Sequence, residues 1–470
     1  MNQQIEKTPS VGIIGGGVAG TTIAMRLAQS GIQVHLFEQG SRLVSGPPIC
    51  HLHAGGNLYR EISEQQCVTL LRQSIASART FPHTINRRPT VIAIPQHDSG
   101  QPDDLLPRLQ VVQAAYAQLI EEDSANAIMG PAQSYFQLYD EAKLMALACR
   151  PTPKMPLTAD EWMIPVAKGL DLTQMKLPLI LVQEYGWSVF RLAATAELSL
   201  QQSESCHLHL NAKVTGITKK SQGWQIDYVQ HFAKQCQVDW LINAAGYQSG
   251  EIDNLLGLAR QRLVEFKAAY VTHWQTSAQW PEVIIHGQRG TPQGMAQLTP
   301  YPQGYFQLHG MTEDITLFEQ GLVASKADDA QPRLAAHFTD KLQGSWQPEE
   351  VQARTQRAID HLSQYIPGFA TATVAGLPLF GAQQIPGDDV TLRAADISFG
   401  DAHYVRAEIV KGSSALEVAE VLLAQWQCAD RVATLPQLSE ADVVVHASKI
   451  AKERDYPEAL ALPYGDALHL

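Results

Sequence analysis

Three glycines near the start of the sequence have the spacing of a dinucleotide-binding turn. Gly15, Gly17 and Gly20 form a GxGxxG pattern. In such a turn the first glycine permits the sharp bend, the second lets the backbone approach a pyrophosphate, and the third allows close packing of a helix on a strand. Glu38 follows about 20 residues later, where a carboxylate accepts hydrogen bonds from ribose hydroxyls and would repel a 2′-phosphate. The predicted chemistry is therefore binding of a pyrophosphate and an unphosphorylated ribose.

The elements that would position these residues are a strand, a helix and a second strand. Residues 11–15 form an apolar run typical of a buried parallel strand, residues 18–30 have helical spacing, and Gly31 is a suitable helix end. Residues 33–37 are then predicted to form the second strand. The helix N-terminus would present unpaired N–H groups to an anion. This order of elements is more specific than GxGxxG alone, whose other interpretation is a tight turn without a ligand.

Later segments carry further signals. Small residues at 243–246 follow an apolar strand, which indicates close approach of the backbone to another group. Residues 403–410 are predicted as a strand, and residues 411–414 as a small-residue turn before a helix. Residues 263–318 alternate in the manner of antiparallel strands, and residues 331–365 have a helical pattern.

Composition narrows the class of protein. The chain has 470 residues, with 35 Lys and Arg against 47 Asp and Glu, a net charge of −12 and 45% hydrophobic residues. These values exclude overall disorder and argue against a broad nucleic-acid-binding surface. The six cysteines form no CxxC pair, so we expect neither a disulfide framework nor a metal site. A polar start and the lack of an apolar run of about 20 residues favour a cytoplasmic protein with no transmembrane segment, with peripheral membrane contact left open.

Taken together, these segments resemble the D-amino-acid-oxidase type family of FAD-dependent oxidoreductases. The resemblance rests on four segments in the family's order, VGIIGGGVAGTTIAMRLAQSGIQVHLFE, HLHAGG, INAAG and YVRAEIVKGSSALEVAEVLL. It implies an α/β fold, with a Rossmann-like FAD-binding domain around a parallel sheet and a substrate domain built on an antiparallel sheet with helices. The implied boundaries are 1–90, 185–255 and 370–435 for the FAD-binding domain, 91–184 and 256–369 for the substrate domain, and 436–470 for a C-terminal extension.

The resemblance also implies which residues bind FAD. His53 matches a histidine that is bonded covalently to the flavin in some amine-oxidising members, but the match is short and we expect non-covalent FAD. Lys411 and the turn after it would face the pyrimidine end of the flavin, where reduction creates negative charge; the alternative for Lys411 is a solvated surface position. The predicted cofactor-binding residues are Gly15, Gly17, Val18, Ala19, Gly20, Glu38, Gln39, His53, Ala54, Gly55, Val214, Ala245, Gly246, Lys411, Gly412, Ser413 and Ser414.

The implied reaction is oxidation of a small amine, amino acid or 2-hydroxy acid by hydride transfer to flavin N5. Oxygen or a quinone-type carrier would then accept the electrons. The predicted catalytic residues are His309, Lys411 and Tyr305, and further substrate-contact candidates are Tyr301, Arg289, Arg393 and Arg406. Two other functions stay open on the sequence, an NAD-dependent dehydrogenase and a flavin-carrying protein that serves the maturation of a partner.

Overall fold

The computed structural model describes residues 8–45, 62–394, 397–400, 403–428 and 438–465. Within these residues the strands form sheets of six, ten, three and two strands. The α-helices of the described residues are Val18–Gln29, Glu64–Thr80, Leu106–Glu122, Glu141–Ala148, Ala159–Gly169, Val189–Gln201, Ser249–Leu255, Ala336–Leu342, Pro348–Ser363, Ala415–Gln425 and Glu440–Glu453. In this described part of the chain, no helix has both the length and the apolar character needed to cross a membrane.

The six-stranded sheet carries the glycine turn. Its strands follow the spatial order Ile397–Phe399, Tyr404–Ala407, Trp240–Asn243, Ser10–Ile14, Gln33–Phe37 and Cys206–His209. All neighbours pair in parallel except the first two. Helices cover the sheet, and Val11 and Ile13 are fully buried in the shared core. The predicted Rossmann-like parallel sheet is therefore confirmed.

A smaller antiparallel sheet lies against the other side of this region. It consists of Lys213–Lys219, Trp224–Gln230 and Phe232–Val238, each paired with the next along the chain. Its Ile226 and Trp224 are buried in one apolar cluster with Ile14 and Phe37. A two-stranded ladder, Ile85–Asn86 with Gly186–Trp187, completes the minor sheets.

The ten-stranded sheet is largely antiparallel, as the alternation of residues 263–318 predicts. Its main path runs through Leu322–Ala324, Arg262–His273, Tyr305–Gly310, Ala296–Pro300, Glu282–Ile285, Thr90–Pro95, Met175–Val182 and Phe136–Tyr139, and Thr373–Val374 and Leu379–Pro386 also pair with Arg262–His273. One pair, Glu282–Ile285 with Thr90–Pro95, is parallel. A second apolar core lies between this sheet and its helices.

The structure adds detail to the sequence-based description of three segments. The helical pattern of residues 331–365 forms two helices, because Gly344 has a φ of +92° and Pro348 begins a new helix. The strand Leu379–Pro386 lies within residues 370–435, which the resemblance assigns to the FAD-binding domain. It pairs along its length with Arg262–His273 of the large sheet. The C-terminal extension, for which the sequence suggested no role, contains a helix packed on Val189–Gln201.

Candidate active site

A cleft of about 2360 Å³ joins the two larger sheets. On one side it is lined by Gly15, Gly17 and Glu38 of the dinucleotide-binding region. On the other side it is lined by residues of the ten-stranded sheet, including Lys267 and His309. One space therefore connects a predicted nucleotide site with a predicted substrate site.

The three glycines serve two different purposes. Gly15 has a φ of +105°, and a Cβ there would lie 2.4 Å from the Ala244 carbonyl oxygen. A Cβ on Gly20 would lie 1.8 Å from the Gly15 carbonyl oxygen. A Cβ on Gly17, in contrast, would meet no described atom within 4 Å and would occupy the cleft. Gly15 and Gly20 are therefore required by packing, whereas Gly17 leaves a space that a ligand can fill.

The helix after this turn provides the anion-binding groups. Gly17 is the N-cap residue of the helix Val18–Gln29. Among the described residues, no side-chain hydrogen bond caps this end of the helix, and the first turn contains no acidic residue. The first backbone hydrogen bond of the helix runs from the Thr21 N–H to the Gly17 carbonyl, at 3.0 Å. The N–H groups before Thr21 thus have no intrahelical acceptor and are directed to the N-terminal end, where a pyrophosphate is favoured.

Glu38 is held by the backbone around it. The side chain is buried, its Oε2 accepts a hydrogen bond from the Gly16 N–H at 2.7 Å, and its Oε1 accepts one from the Gly40 N–H at 2.6 Å. Each carboxylate oxygen retains a lone pair for a ribose hydroxyl. The neighbouring Gln39, which also lines the cleft, donates from Nε2 to Gln248 Oε1 at 2.7 Å.

The remaining predicted cofactor residues divide into three groups. Val18, Ala19, Val214, Ala245, Gly246, Lys411 and Gly412 line the cleft. Ser413 and Ser414 are buried and make other contacts, because the Ser413 carbonyl accepts from Ser77 Oγ at 3.0 Å and Ser414 Oγ donates to Gln73 Oε1 at 2.6 Å. These two serines therefore hold the turn against the helix Glu64–Thr80, and neither lines the cleft. His53, Ala54 and Gly55 lie outside the described residues, so their role stays a prediction.

The sequence analysis missed Lys267, which lines the cleft from the long strand Arg262–His273. Its Nζ lies 2.6 Å from Glu265 Oε2 and donates to Gln383 Oε1 at 3.0 Å. Gln383 Nε2 in turn donates to the Val410 carbonyl at 2.7 Å, directly before Lys411. Burial lowers the pKa of Lys267 to about 8, although Glu265 opposes this shift. Glu265 and Lys267 are two positions apart on a strand, so their side chains lie on the same face of the sheet. This pair of charged residues is the sequence signal that could have indicated the site.

Two of the predicted arginines also reach the cleft. Arg289 and Arg393 line it, and both charges contribute to lowering the pKa of Lys267 after the larger effect of burial. Arg289 forms an ion pair with the second oxygen of Glu265. Glu265 thus pairs with both Lys267 and Arg289, and Arg393 lies near enough to Lys267 to lower its pKa.

The other substrate candidates are structural within the described part of the chain. Tyr301 is buried and donates to Gln307 Oε1 at 3.1 Å, and Arg406 is buried and donates to Asp253 Oδ1 at 2.7 Å. Tyr305 packs against His273, with 5.2 Å between ring centroids. Among the described residues none of these three lines the cleft, whereas His309 does. Tyr305 is four residues from His309 along one strand, about 13 Å away at 3.3 Å per residue, which is why the predicted catalytic Tyr305 lies away from the cleft.

Comparisons with known proteins agree with this geometry. The sequence profile of the family described as FAD dependent oxidoreductase matches residues 10–386, and the chain therefore belongs to this family. It is an FAD-dependent oxidoreductase of the D-amino-acid-oxidase type, and the space beside Gly17, where a Cβ meets no described atom within 4 Å, fits the pyrophosphate of that cofactor. Of the alternatives left open by the sequence, NAD as the cofactor and a non-catalytic flavin carrier are therefore not supported.

The solved structures that resemble the chain share its fold at low sequence identity. L-proline dehydrogenase from P. horikoshii is 13% identical with a TM-score of 0.56, over 89% of this chain and 94% of that one. Glycine oxidase from Geobacillus kaustophilus is 15% identical with a TM-score of 0.56, over 92% of this chain and 98% of that one. L-amino acid deaminase from Proteus vulgaris is 13% identical with a TM-score of 0.56, over 94% and 98%. A search of the curated proteins gave no match to the sequence.

Proposed function

We propose that the enzyme oxidises a small amino acid or 2-hydroxy acid, the carboxylate-bearing members of the predicted substrate class. FAD, when bound, supplies the acceptor for a hydride at its N5 atom. The observation that carries the proposal is a group of three cations that line the cleft: Lys267 and Arg289, which pair with Glu265, and Arg393, whose charge acts on Lys267. An unsubstituted amine would bring a further positive charge to this cluster and is disfavoured.

The arginines would bind the substrate carboxylate. A guanidinium group donates two parallel hydrogen bonds to a carboxylate, which fixes orientation as well as position. The Arg289 side chain is 34% exposed, lines the cleft and pairs with Glu265 through one guanidinium nitrogen. Orientation of the substrate carbon for hydride transfer would follow from this contact.

Lys267 would accept the substrate proton. Because burial lowers its pKa to about 8, a substantial fraction of the amine is neutral at slightly alkaline pH. A neutral amine can take a proton from a substrate ammonium or hydroxyl group before the hydride leaves. His309, which also lines the cleft and carries an imidazole that can accept a proton, is the second candidate.

The test is anaerobic bleaching of the flavin by matched pairs of compounds. Each pair consists of an amino acid or 2-hydroxy acid and the amine or alcohol that lacks its carboxylate. We expect the acids to bleach the flavin and their partners to be at least about tenfold weaker, given the strength of charge-assisted hydrogen bonds. Equal reduction by both members of every pair would contradict the proposal.

Variants locate the carboxylate contact. Arg289→Met and Arg393→Met should each raise the concentration of acid needed for half-maximal bleaching, by about tenfold for loss of a charged hydrogen bond. Arg150→Met is the matched control, because Arg150 is exposed and lies outside the cleft. Mixing the reduced enzyme with oxygen or with a soluble quinone then identifies the electron acceptor, which we propose to be one of these two.

A further inference from the structure

The helix of the C-terminal extension is followed directly by a contact with the dinucleotide-binding region. After the helix Glu440–Glu453, the guanidinium group of Arg454 donates to the Val44 carbonyl at 2.9 Å and to the Leu43 carbonyl at 2.8 Å. Burial is the main reason that the pKa of Arg454 is lowered. One half-buried side chain therefore satisfies two backbone carbonyls that lie more than 400 residues away in sequence.

The contacted segment in turn holds the glycine turn. The Val44 N–H donates to the Gly16 carbonyl at 2.8 Å, and the Gly16 N–H donates to Glu38 Oε2 at 2.7 Å. A Cβ on Gly16 would lie 2.8 Å from a methyl carbon of Leu43, which shows how closely the two segments pack. A chain of hydrogen bonds thus runs from Arg454 through Val44 and Gly16 to the predicted ribose-binding carboxylate.

Val44 needs this support. Its φ is +50°, a left-handed conformation that is unfavourable for a β-branched residue. Such a conformation persists where surrounding contacts determine it, and here these contacts include the Arg454 guanidinium, the Gly16 carbonyl and the apolar core around the buried Val44 side chain. Without Arg454, the 43–44 segment can relax to an ordinary backbone conformation, and the Val44 hydrogen bond to Gly16 would be lost.

Other contacts anchor the extension on both parts of the molecule. His446 Nε2 lies 2.8 Å from Glu197 Oε2, and Arg42 contacts the same carboxylate at 2.9 Å. Farther along, the Tyr456 hydroxyl donates to the Pro378 carbonyl at 2.7 Å. These contacts hold the helix in place, but none of them reaches the glycine turn.

We propose that the extension positions the FAD site, with Arg454 as the positioning residue. The proposal takes FAD as the cofactor and does not depend on which substrate is oxidised. Arg454 acts through Leu43 and Val44 on Gly16, so its effect should appear in FAD affinity.

The experiment measures FAD binding and apoprotein stability separately. The full-length apoprotein is titrated with FAD by flavin fluorescence, and its urea unfolding is followed without FAD. We expect Arg454→Met to raise the FAD dissociation constant at least about fivefold, the usual lower range of coupling between distinct sites. Arg454→Lys, which retains a cation that can reach one carbonyl, should restore part of the affinity.

Two variants separate positioning from general loss of stability. Lys449→Met removes an exposed cation from the same helix and should leave FAD affinity unchanged. Tyr456→Phe removes the tie to Pro378 and should weaken the apoprotein without a matching loss of FAD affinity. If Arg454→Met does not fold, Arg454→Lys takes its place in the comparison. An FAD dissociation constant for the Arg454 variant that equals the wild type, or that rises no more than in Tyr456→Phe, would overturn the proposal.

Discussion

Gly17→Val separates the role of the glycine turn in FAD binding from its role in folding. Gly17 has a φ of −73° and an extended ψ, which any residue can adopt. A Cβ there meets no described atom within 4 Å. The apoprotein should therefore accept valine, whereas the same side chain would occupy the space that a pyrophosphate needs.

The size of the two effects can be worked from the structure. Replacing glycine reduces the entropy of the unfolded chain, worth about 0.4–1 kcal/mol in favour of folding, and this offsets a poorer N-cap of similar size. Overpacking in the ligand site costs about 1–3 kcal/mol, and each lost hydrogen bond to a charged group about 1.5–3 kcal/mol. The sum predicts a loss of FAD affinity of at least about 100-fold with little change in apoprotein stability.

Gly20→Ala is the matched comparison. Its new Cβ would lie 1.8 Å from the Gly15 carbonyl oxygen, so the helix must move away from the strand. We expect the free energy of unfolding of this apoprotein to fall by about 1–3 kcal/mol or more. Flavin absorbance per protein, FAD titration of the apoproteins and urea unfolding measure these quantities. A Gly17→Val protein that purifies with a full complement of flavin, or that is as unstable as Gly20→Ala, would refute the reasoning.

Four further predictions concern charge and pH. Lys411→Met should lower the flavin midpoint potential by about 30 mV, measured by potentiometric titration, with little effect on FAD affinity. An unchanged midpoint potential would place the Lys411 charge away from the flavin. The rate of flavin reduction should rise near pH 8, because burial lowers the pKa of Lys267 to about 8 and only the neutral amine accepts a proton. Lys267→Met should remove this rise, and a rise that persists in the variant would belong to another group. Burial and two neighbouring histidines lower the pKa of His35 from 6.5 to about 4. Between these two pH values the unfolded chain binds more protons than the folded chain, so the free energy of unfolding falls as the pH drops from 6.5 to about 4. His35→Phe should reduce that fall, measured by urea unfolding at pH 7 and 5. Acid denaturation should release most of the FAD into solution, and flavin that stays with the denatured polypeptide would show that His53 holds it covalently.

Local sequence was sufficient for the dinucleotide-binding half of the site. Gly15, Gly17, Gly20 and Glu38 lie in one stretch, and the strand, turn, helix and strand that carry them are set by short-range periodicity and by the glycine requirement of the turn. The strand pattern of residues 263–318 likewise predicted the antiparallel sheet. In these segments the functional residues and the strands and helix that position them are adjacent in the sequence.

The substrate end and the C-terminal contact were decided by tertiary structure. Lys267 meets Gln383 across 116 positions of sequence, and Arg454 meets Val44 across 410. Periodicity identifies the face of a strand but not which end of it borders a cleft, so Tyr305 and His309 were indistinguishable on one strand. The sequence by itself determined the cofactor-binding turn because its residues are neighbours in the chain. Only the folded chain determined the cationic cluster and the support from Arg454, because strand order and domain packing bring those residues together.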